Sequence, residues 1–268
     1  MSKTSYYLSS ILTLVRAFKR PWQISGIFLG FPGSLPTEVE LRGTGWRFSV
    51  RSALDVWVIK ETCIDQDYLL AIEIDPSWSI VDIGAGLGDF TVLAAAACPD
   101  GLVHAYEPHG QSFELLKHNL ALNQIDRVAC YNEAAGEAAS RLRPEHEGGD
   151  AVSTSFVKSP GKSPGKSPGK SSGKSSVPSV DLKQILARLP GEKCDLMKID
   201  CEGCEFEFLI KAGRESLSKV RRLTIEVHDG YFDCAAVDLK AHLVENGFTV
   251  SQEPNPVHSY LSLLYAER

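Results

Sequence analysis

Ser79 to Phe90 reads SIVDIGAGLGDF, an apolar run that ends in a turn with glycine at every second position. It predicts a strand entering a tight connection to a helix. Gly84, Gly86 and Gly88 leave bare backbone where a Cβ would block the approach of a ligand. Glu107 closes the next apolar run, GLVHAYEP, where a second parallel strand would end. An acid there can accept hydrogen bonds from two ribose hydroxyls. Together the two features predict a nucleoside-bearing cofactor at the carboxyl edge of a parallel sheet.

The spacing narrows the cofactor. A dinucleotide site wants G-x-G-x-x-G with a helix N-terminus on the pyrophosphate. This turn runs D-x-G-x-G-x-G and places Asp89 where the third dinucleotide glycine would stand. An anionic side chain is a poor neighbour for pyrophosphate, whereas Asp82 suits a cationic ligand such as the amino end of a methionine. The pattern favours S-adenosylmethionine over NAD. The expected contacts are Asp82, Gly84, Ala85 and Gly86 on the turn, with Glu107 and Pro108 after the second strand.

Apolar strands alternate with helical patterns from Ser79 onward, the signature of stacked βαβ units. Strands are expected at Ile80–Ile83, Leu102–Tyr106, Val128–Tyr131, Asp195–Ile199, Arg222–Val227, Thr249–Gln252 and Tyr260–Tyr265. The last two follow one another with only a loop between, so an antiparallel hairpin should close the sheet. Helices are expected at Phe90–Ala97, Gln111–Asn123, Asp181–Leu189, Cys204–Ala212 and Ala235–Asn246. Residues 1–75 form an N-terminal helix and strand extension, read as a cap or substrate side, and residues 76–268 the cofactor-binding domain. The helical spacing of Leu8, Ile11, Leu14, Val15 and Phe18 is read as packing on the chain's own domain, with contact to a membrane surface as the alternative.

One segment interrupts the domain. Residues 158–176 read KSPGKSPGKSPGKSSGKSS, which has no apolar surface to bury and is expected to stay a solvated loop. Its five lysines mask the charge of the body. The net charge of −6 becomes −11 without them, 23 basic against 34 acidic residues, which argues against nucleic acid as partner. Seven cysteines, an odd number, suit reduced thiols in the cytoplasm, and Cys201 and Cys204 are read as core-filling thiols, with a zinc or redox role as the alternative.

Four further stretches carry a resemblance: YEPHGQSFELLKHNLALN (Tyr106–Asn123), SVDLKQIL (Ser179–Leu186), DLMKIDCEGCEFEFL (Asp195–Leu209) and TIEVH (Thr224–His228). With VDIGAGLGDF and the upstream DVWVIKETCIDQDY (Asp55–Tyr68), the chain resembles the FkbM family of S-adenosylmethionine-dependent methyltransferases. The resemblance implies an α/β class I methyltransferase fold, Rossmann-like, with seven strands in the order 3-2-1-4-5-7-6, strand 7 antiparallel and helices on both faces. It implies O-methylation of a hydroxyl on a sugar, lipid or secondary metabolite. Carried over residue by residue, Asp82, Gly84 and Gly86 would meet the methionine part and Glu107 the ribose diol.

An alcohol is a weak nucleophile, so its proton must pass to a positioned base or be weakened by a metal. Asp200 and Glu202 follow the fourth strand beside the cofactor edge, although Asp200 could instead cap the next helix. Glu226 and His228 end the fifth strand, one expected on the pocket side and the other on the opposite side or the loop. His228 is the candidate base near neutral pH, with Asp200 orienting the hydroxyl or holding a divalent cation. His109 would line the adenosine site, and His118 would sit on an exposed helix face. A divalent metal is compatible with these groups but not indicated, and the oligomeric state is left open. The competing readings are an NAD(P)-dependent oxidoreductase and a non-catalytic partner protein of methyltransferase fold.

Overall fold

The computed structural model describes residues 3–70, 72–138, 141–144, 156–158, 176–229 and 235–268. Most of the lysine-rich repeat, residues 159–175, lies outside the described residues. The chain opens with α1 (Lys3–Ala17) and α2 (Pro21–Phe28), the latter started by a proline that needs no amide partner. A hairpin of β1 (Thr37–Glu40) and β2 (Arg47–Val50) follows. Then α3 (Ala53–Ile59), capped by Ser52, runs on as a π-helical turn over Lys60–Asp65.

The main domain contains β3 (Ser79–Ile83), α4 (Asp89–Ala97), β4 (Leu102–Tyr106), α5 (Gly110–Leu122) and β5 (Val128–Tyr131). Four short strands come next: β6 (Ala134–Ala135), β7 (Arg141–Pro144), β8 (Phe156–Lys158) and β9 (Val177–Val180). The second half holds α6 (Leu182–Leu186), β10 (Leu196–Ile199), α7 (Cys204–Ile210), α8 (Arg214–Leu217), β11 (Arg222–His228), α9 (Ala236–Glu245), β12 (Thr249–Pro254) and β13 (Leu261–Glu267). The seven-stranded sheet has the order β12-β13-β11-β10-β3-β4-β5. Its pairings are parallel from β11 through β5, and β13 lies antiparallel to both β11 and β12.

The strand pleat divides the core between two faces. Val81, Ile83, Met197, Ile199, Ile225 and Val227 enter one apolar cluster with residues of α6, α7 and α9. On the other side of the same strands, Ile80 and Leu196 belong to a different cluster with Phe90 and Ala94 of α4. The N-terminal region is joined to the domain by burial: Leu14, Phe18, Ile24, Val39, Phe48 and Val56 share a cluster with Ala85, Val92, Ala105 and Leu116. Buried Asn119 of α5 adds a polar tie. It accepts from Ser49 N at 2.8 Å and donates to the carbonyl of Leu87 at 2.8 Å, linking β2 to the glycine turn.

The helix expected over Asp181–Leu189 is shorter than its pattern, covering Leu182–Leu186 as α6. Asp181 is its cap, making reciprocal bonds with Gln184, and the last residues before Pro190 leave the helix. The sequence pattern missed α2, α3, α8, the π turn and the small sheet β6-β9-β7-β8. Elements of two to eight residues are too short to show a period clearly.

Candidate active site

At the carboxyl edge of β3 the glycine turn is fixed by close approach. Gly84 has φ +70°, and a Cβ there would stand 1.7 Å from the carbonyl oxygen of Asp200. Its amide and that of Ala85 both donate to Tyr106 O, at 3.0 and 3.1 Å. A Cβ on Gly86 would meet no protein atom within 4 Å, although φ is +54°. Gly84 therefore serves the fold, and Gly86 keeps space clear.

Glu107 is buried and holds this turn. Its Oε2 accepts from Gly86 N and its Oε1 from His109 N, each at 2.7 Å. Burial pushes its carboxyl up to about 7 against the pull of those two amides and of Lys198. A cavity of about 90 Å³ opens here, lined by Gly84, Gly86, Glu107, Pro108, His109 and Lys198, among others. His109 also caps α5, accepting from Ser112 N, and His118 is exposed.

Two expected contacts stand elsewhere. Ala85 is buried in the core and is not part of this lining. Asp82 is fully buried and engaged internally: Thr91 Oγ1 donates to it at 2.6 Å, and Lys198 Nζ stands 3.2 Å away. The cation expected from a ligand is supplied by the protein, because Lys198 lies beside Asp82 in the β10–β3 register. Lys198 also donates to Gly84 O at 2.8 Å and faces Asp200 at 3.8 Å. The signal for it was the lysine of MKID, a charge inside a strand otherwise apolar and buried.

A larger cavity, of about 380 Å³, adjoins the first, and Val58, Tyr68, Asp200 and Glu202 line both. Its walls come from distant parts of the chain: Tyr6 and Tyr7 of α1, Trp57 of α3, Glu61 of the π turn, Glu226 and His228 of β11, and Asn255 to Leu261 between β12 and β13. Glu226 and His228 line it together, since residues two apart on a strand share a face; the expectation that they part is corrected.

The polar groups here are coupled. Tyr68 Oη lies 2.8 Å from Asp200 Oδ2 and 2.9 Å from Glu226 Oε2, with one proton for two oxygens. Burial and the neighbouring charge of Asp200 push the Glu226 carboxyl up, so that it holds a proton which can complete the second bond. Glu61 accepts from Trp57 Nε1 at 2.7 Å, and burial raises it to about 7.

His228 is held by carboxylates. Its Nδ1 is 3.3 Å from Glu205 Oε1, its Nε2 is 3.5 Å from Glu202 Oε2, and its amide donates to Glu205 at 2.9 Å. Burial disfavours its charge, but Glu205, Asp200 and Glu202 prevail and raise it to about 10. A histidine held this high carries its proton at neutral pH, whereas a base needs the neutral imidazole. Glu202 is raised to about 7 by burial, with His228 opposing. It also adopts the left-handed region, φ +53°, uncommon for a residue with a side chain and often found at functional sites.

Asp200 does not cap α7. That position falls to Gly203, whose amide donates to buried Glu205 Oε2 at 2.8 Å. Cys201 and Cys204 form a disulfide in the turn between, where free core-filling thiols were expected; Cys63, Cys98, Cys130 and Cys194 are free. Asp200, Glu226 and His228 each place a possible ligand atom within 4.8 Å of the others, but the protons held by Glu226 and His228 would have to leave before the three could ligate a divalent ion.

A mostly parallel sheet with a glycine turn and a buried acid at its carboxyl edge, opening into a second cavity, is the plan of a Rossmann-like methyltransferase. Residues 82–250 match the family model for the methyltransferase FkbM domain, and the chain belongs to the FkbM family of methyltransferases. It is 26% identical to 31-O-demethyl-FK506 methyltransferase FkbM of Streptomyces tacrolimicus, over 75% of this chain and 84% of that one. Hexuronic acid methyltransferase AglP of Haloferax volcanii is 24% identical over 73% of this chain and 75% of its own length. The solved structure of methyltransferase FkbM from Methylobacillus flagellatus aligns with a TM-score of 0.49 and 16% identity, covering 80% of this chain and 54% of that one.

Proposed function

We propose that the chain transfers a methyl group from S-adenosylmethionine to a hydroxyl oxygen of a small-molecule, glycan or lipid acceptor, with Glu202 as the base. The observation that carries this reading is the junction of the two cavities at Tyr68, Asp200 and Glu202. The narrow cavity suits a nucleoside: Glu107 keeps lone pairs free beyond its two amide bonds, and Gly86 leaves room beside it. When bound, S-adenosylmethionine supplies an electrophilic methyl on a sulfonium.

The protein's own part is alignment and proton removal. Tyr68, held between Asp200 and Glu226, fixes one wall where the cavities meet. Glu202 reaches the same place, and a carboxyl titrating near 7 can take the hydroxyl's proton and keep it. The charged His228 beside it stabilises its ionised form. The aromatic rings of Tyr6, Tyr7, Trp57 and Tyr260 among acids favour an acceptor with flat apolar faces and several hydroxyls. Of the two relatives' names, that of the 31-O-demethyl-FK506 methyltransferase agrees with a hydroxyl acceptor, while that of the hexuronic acid methyltransferase leaves hydroxyl and carboxyl both open.

The test uses S-adenosylmethionine with a labelled methyl group and acceptor pools separated by class. Label released by mild base hydrolysis as methanol would indicate a methyl ester and overturn the hydroxyl assignment, whereas a base-stable ether supports it. The oxidoreductase reading would require nicotinamide absorbance to change on turnover.

A further inference from the structure

The first 36 residues contain Lys3, Arg16, Lys19 and Arg20 and no acid, while the remaining residues carry 24 basic and 34 acidic side chains. This cationic segment also concentrates exposed apolar side chains. Ile11, Leu12 and Val15 of α1 are 55, 57 and 42% exposed; Trp22 of α2, with Leu29 and Phe31 just beyond it, are 71, 67 and 59% exposed. The segment is nonetheless part of the fold, since Leu14, Phe18, Ile24 and Ile27 of the same two helices are buried in the core. At about 100° per residue, Ile11, Leu12 and Val15 fall within one arc of roughly 100° on α1. Arg16, which follows Val15, is exposed, as are Lys19 and Arg20 just after the end of α1, Lys19 being paired with Glu40.

Large apolar side chains gathered on one exposed segment mark an interaction surface. Its charge selects the occupant. A second copy in a twofold arrangement would set the same cationic segment against itself. An anionic bilayer matches the charge and takes up protruding Trp, Leu and Phe side chains without a shaped groove. None of the described helices is long and apolar enough to cross a membrane, so contact would lie in the interface plane.

We propose that α1, α2 and the turn after them dock this protein on an anionic lipid surface. Tyr6 and Tyr7, from the first turns of α1, line the larger cavity, so docking sets that cavity beside the lipid headgroups. An acceptor carried on a lipid then reaches Glu202 without leaving the membrane. This last consequence rests on the methyl-transfer reading; the docking does not.

Co-sedimentation without cofactor tests it, using vesicles of phosphatidylcholine alone and of phosphatidylcholine mixed with phosphatidylserine. The protein is expected to sediment only with the mixed vesicles and to be released by salt. Trp22→Ser combined with Phe31→Ser should abolish sedimentation, and Arg16→Glu with Arg20→Glu should weaken it about fivefold per unit of charge changed. These side chains are exposed, so melting temperatures should be kept; should a variant misfold, the salt response of the unaltered protein decides. Failure to bind mixed vesicles, binding insensitive to salt, or a dimer that dissociates on Trp22→Ser with Phe31→Ser would overturn the proposal. Because no methyl transfer is measured, failure here leaves the enzymatic reading standing, and the reverse also holds.

Discussion

The two cavities that meet at Asp200 are built by different means. The narrow one is built around a backbone turn and a buried acid: Gly84 and Gly86 at positive φ, amides donating to Tyr106 and Glu107, with Lys198, Asp200 and Glu202 closing it from the next strand of the sheet and the turn after it. The larger one is side chains from five separated stretches, with carboxylates, a tyrosine and a histidine sharing protons. A backbone cradle depends on conformations that few residues allow, so few substitutions fit it. A side-chain cavity can change its lining residue by residue, and its chemistry depends on the charge of every neighbour.

The largest expected effect falls at the cradle and separates its two glycines. Gly86→Ala adds a Cβ that meets no protein atom within 4 Å, so it should strongly weaken cofactor binding while costing only the roughly 1–2 kcal/mol of a left-handed residue in stability. Gly84→Ala collides with the Asp200 backbone and should lose fold and binding together. Calorimetry with thermal melting distinguishes the pair, and equal behaviour in both variants would erase the division between the fold's glycine and the ligand's.

Next in size is the proton acceptor. Glu202→Gln should lower turnover about 10²–10⁴-fold with cofactor affinity kept, the usual loss for a general base. In the parent, turnover at saturating cofactor should rise with pH through about 7, because a protonated Glu202 cannot accept. Unchanged turnover in Glu202→Gln would pass the role to Asp200.

His228→Ala should be milder, about tenfold at neutral pH. Removing a neighbouring cation raises the Glu202 carboxyl further, so the pH profile should move upward and activity should recover in alkali. A uniform loss at every pH would show instead that the imidazole itself acts, on the acceptor or through a metal. In the second case chelator would silence the parent as well.

Cofactor affinity supplies a smaller pH effect. Glu107 is charged above about 7, the form to which ribose hydroxyls donate, so affinity should hold above that pH and fall by at most about tenfold per unit below it. Smallest of all, deleting residues 159–175 should move the melting temperature by only a few degrees, since shortening a loop changes closure entropy by about 0.6 kcal/mol per halving. A large loss would mean that the repeat packs.

The strands and the glycine turn were legible because their information is local. Apolar runs of buried strands, glycines that must take positive φ, and an acid one strand later each sit within about 30 residues. Asp200 and Glu202 were also legible, as polar residues just after a buried strand. What could not be read was which charges meet. Asp82 offered no hint that its partner is Lys198, 116 positions away and beside it only through parallel pairing. Nor could Tyr68 be placed between Asp200 and Glu226.

Sequence by itself therefore determined the α/β plan, the cofactor turn and the family, all properties of backbone conformation and periodic burial. Only the tertiary structure decided the protonation of the site. It set carboxylates around His228, which push its pKa up, and buried Glu202, because a side chain's charge depends on its desolvation and on neighbours that folding alone brings within a few ångströms.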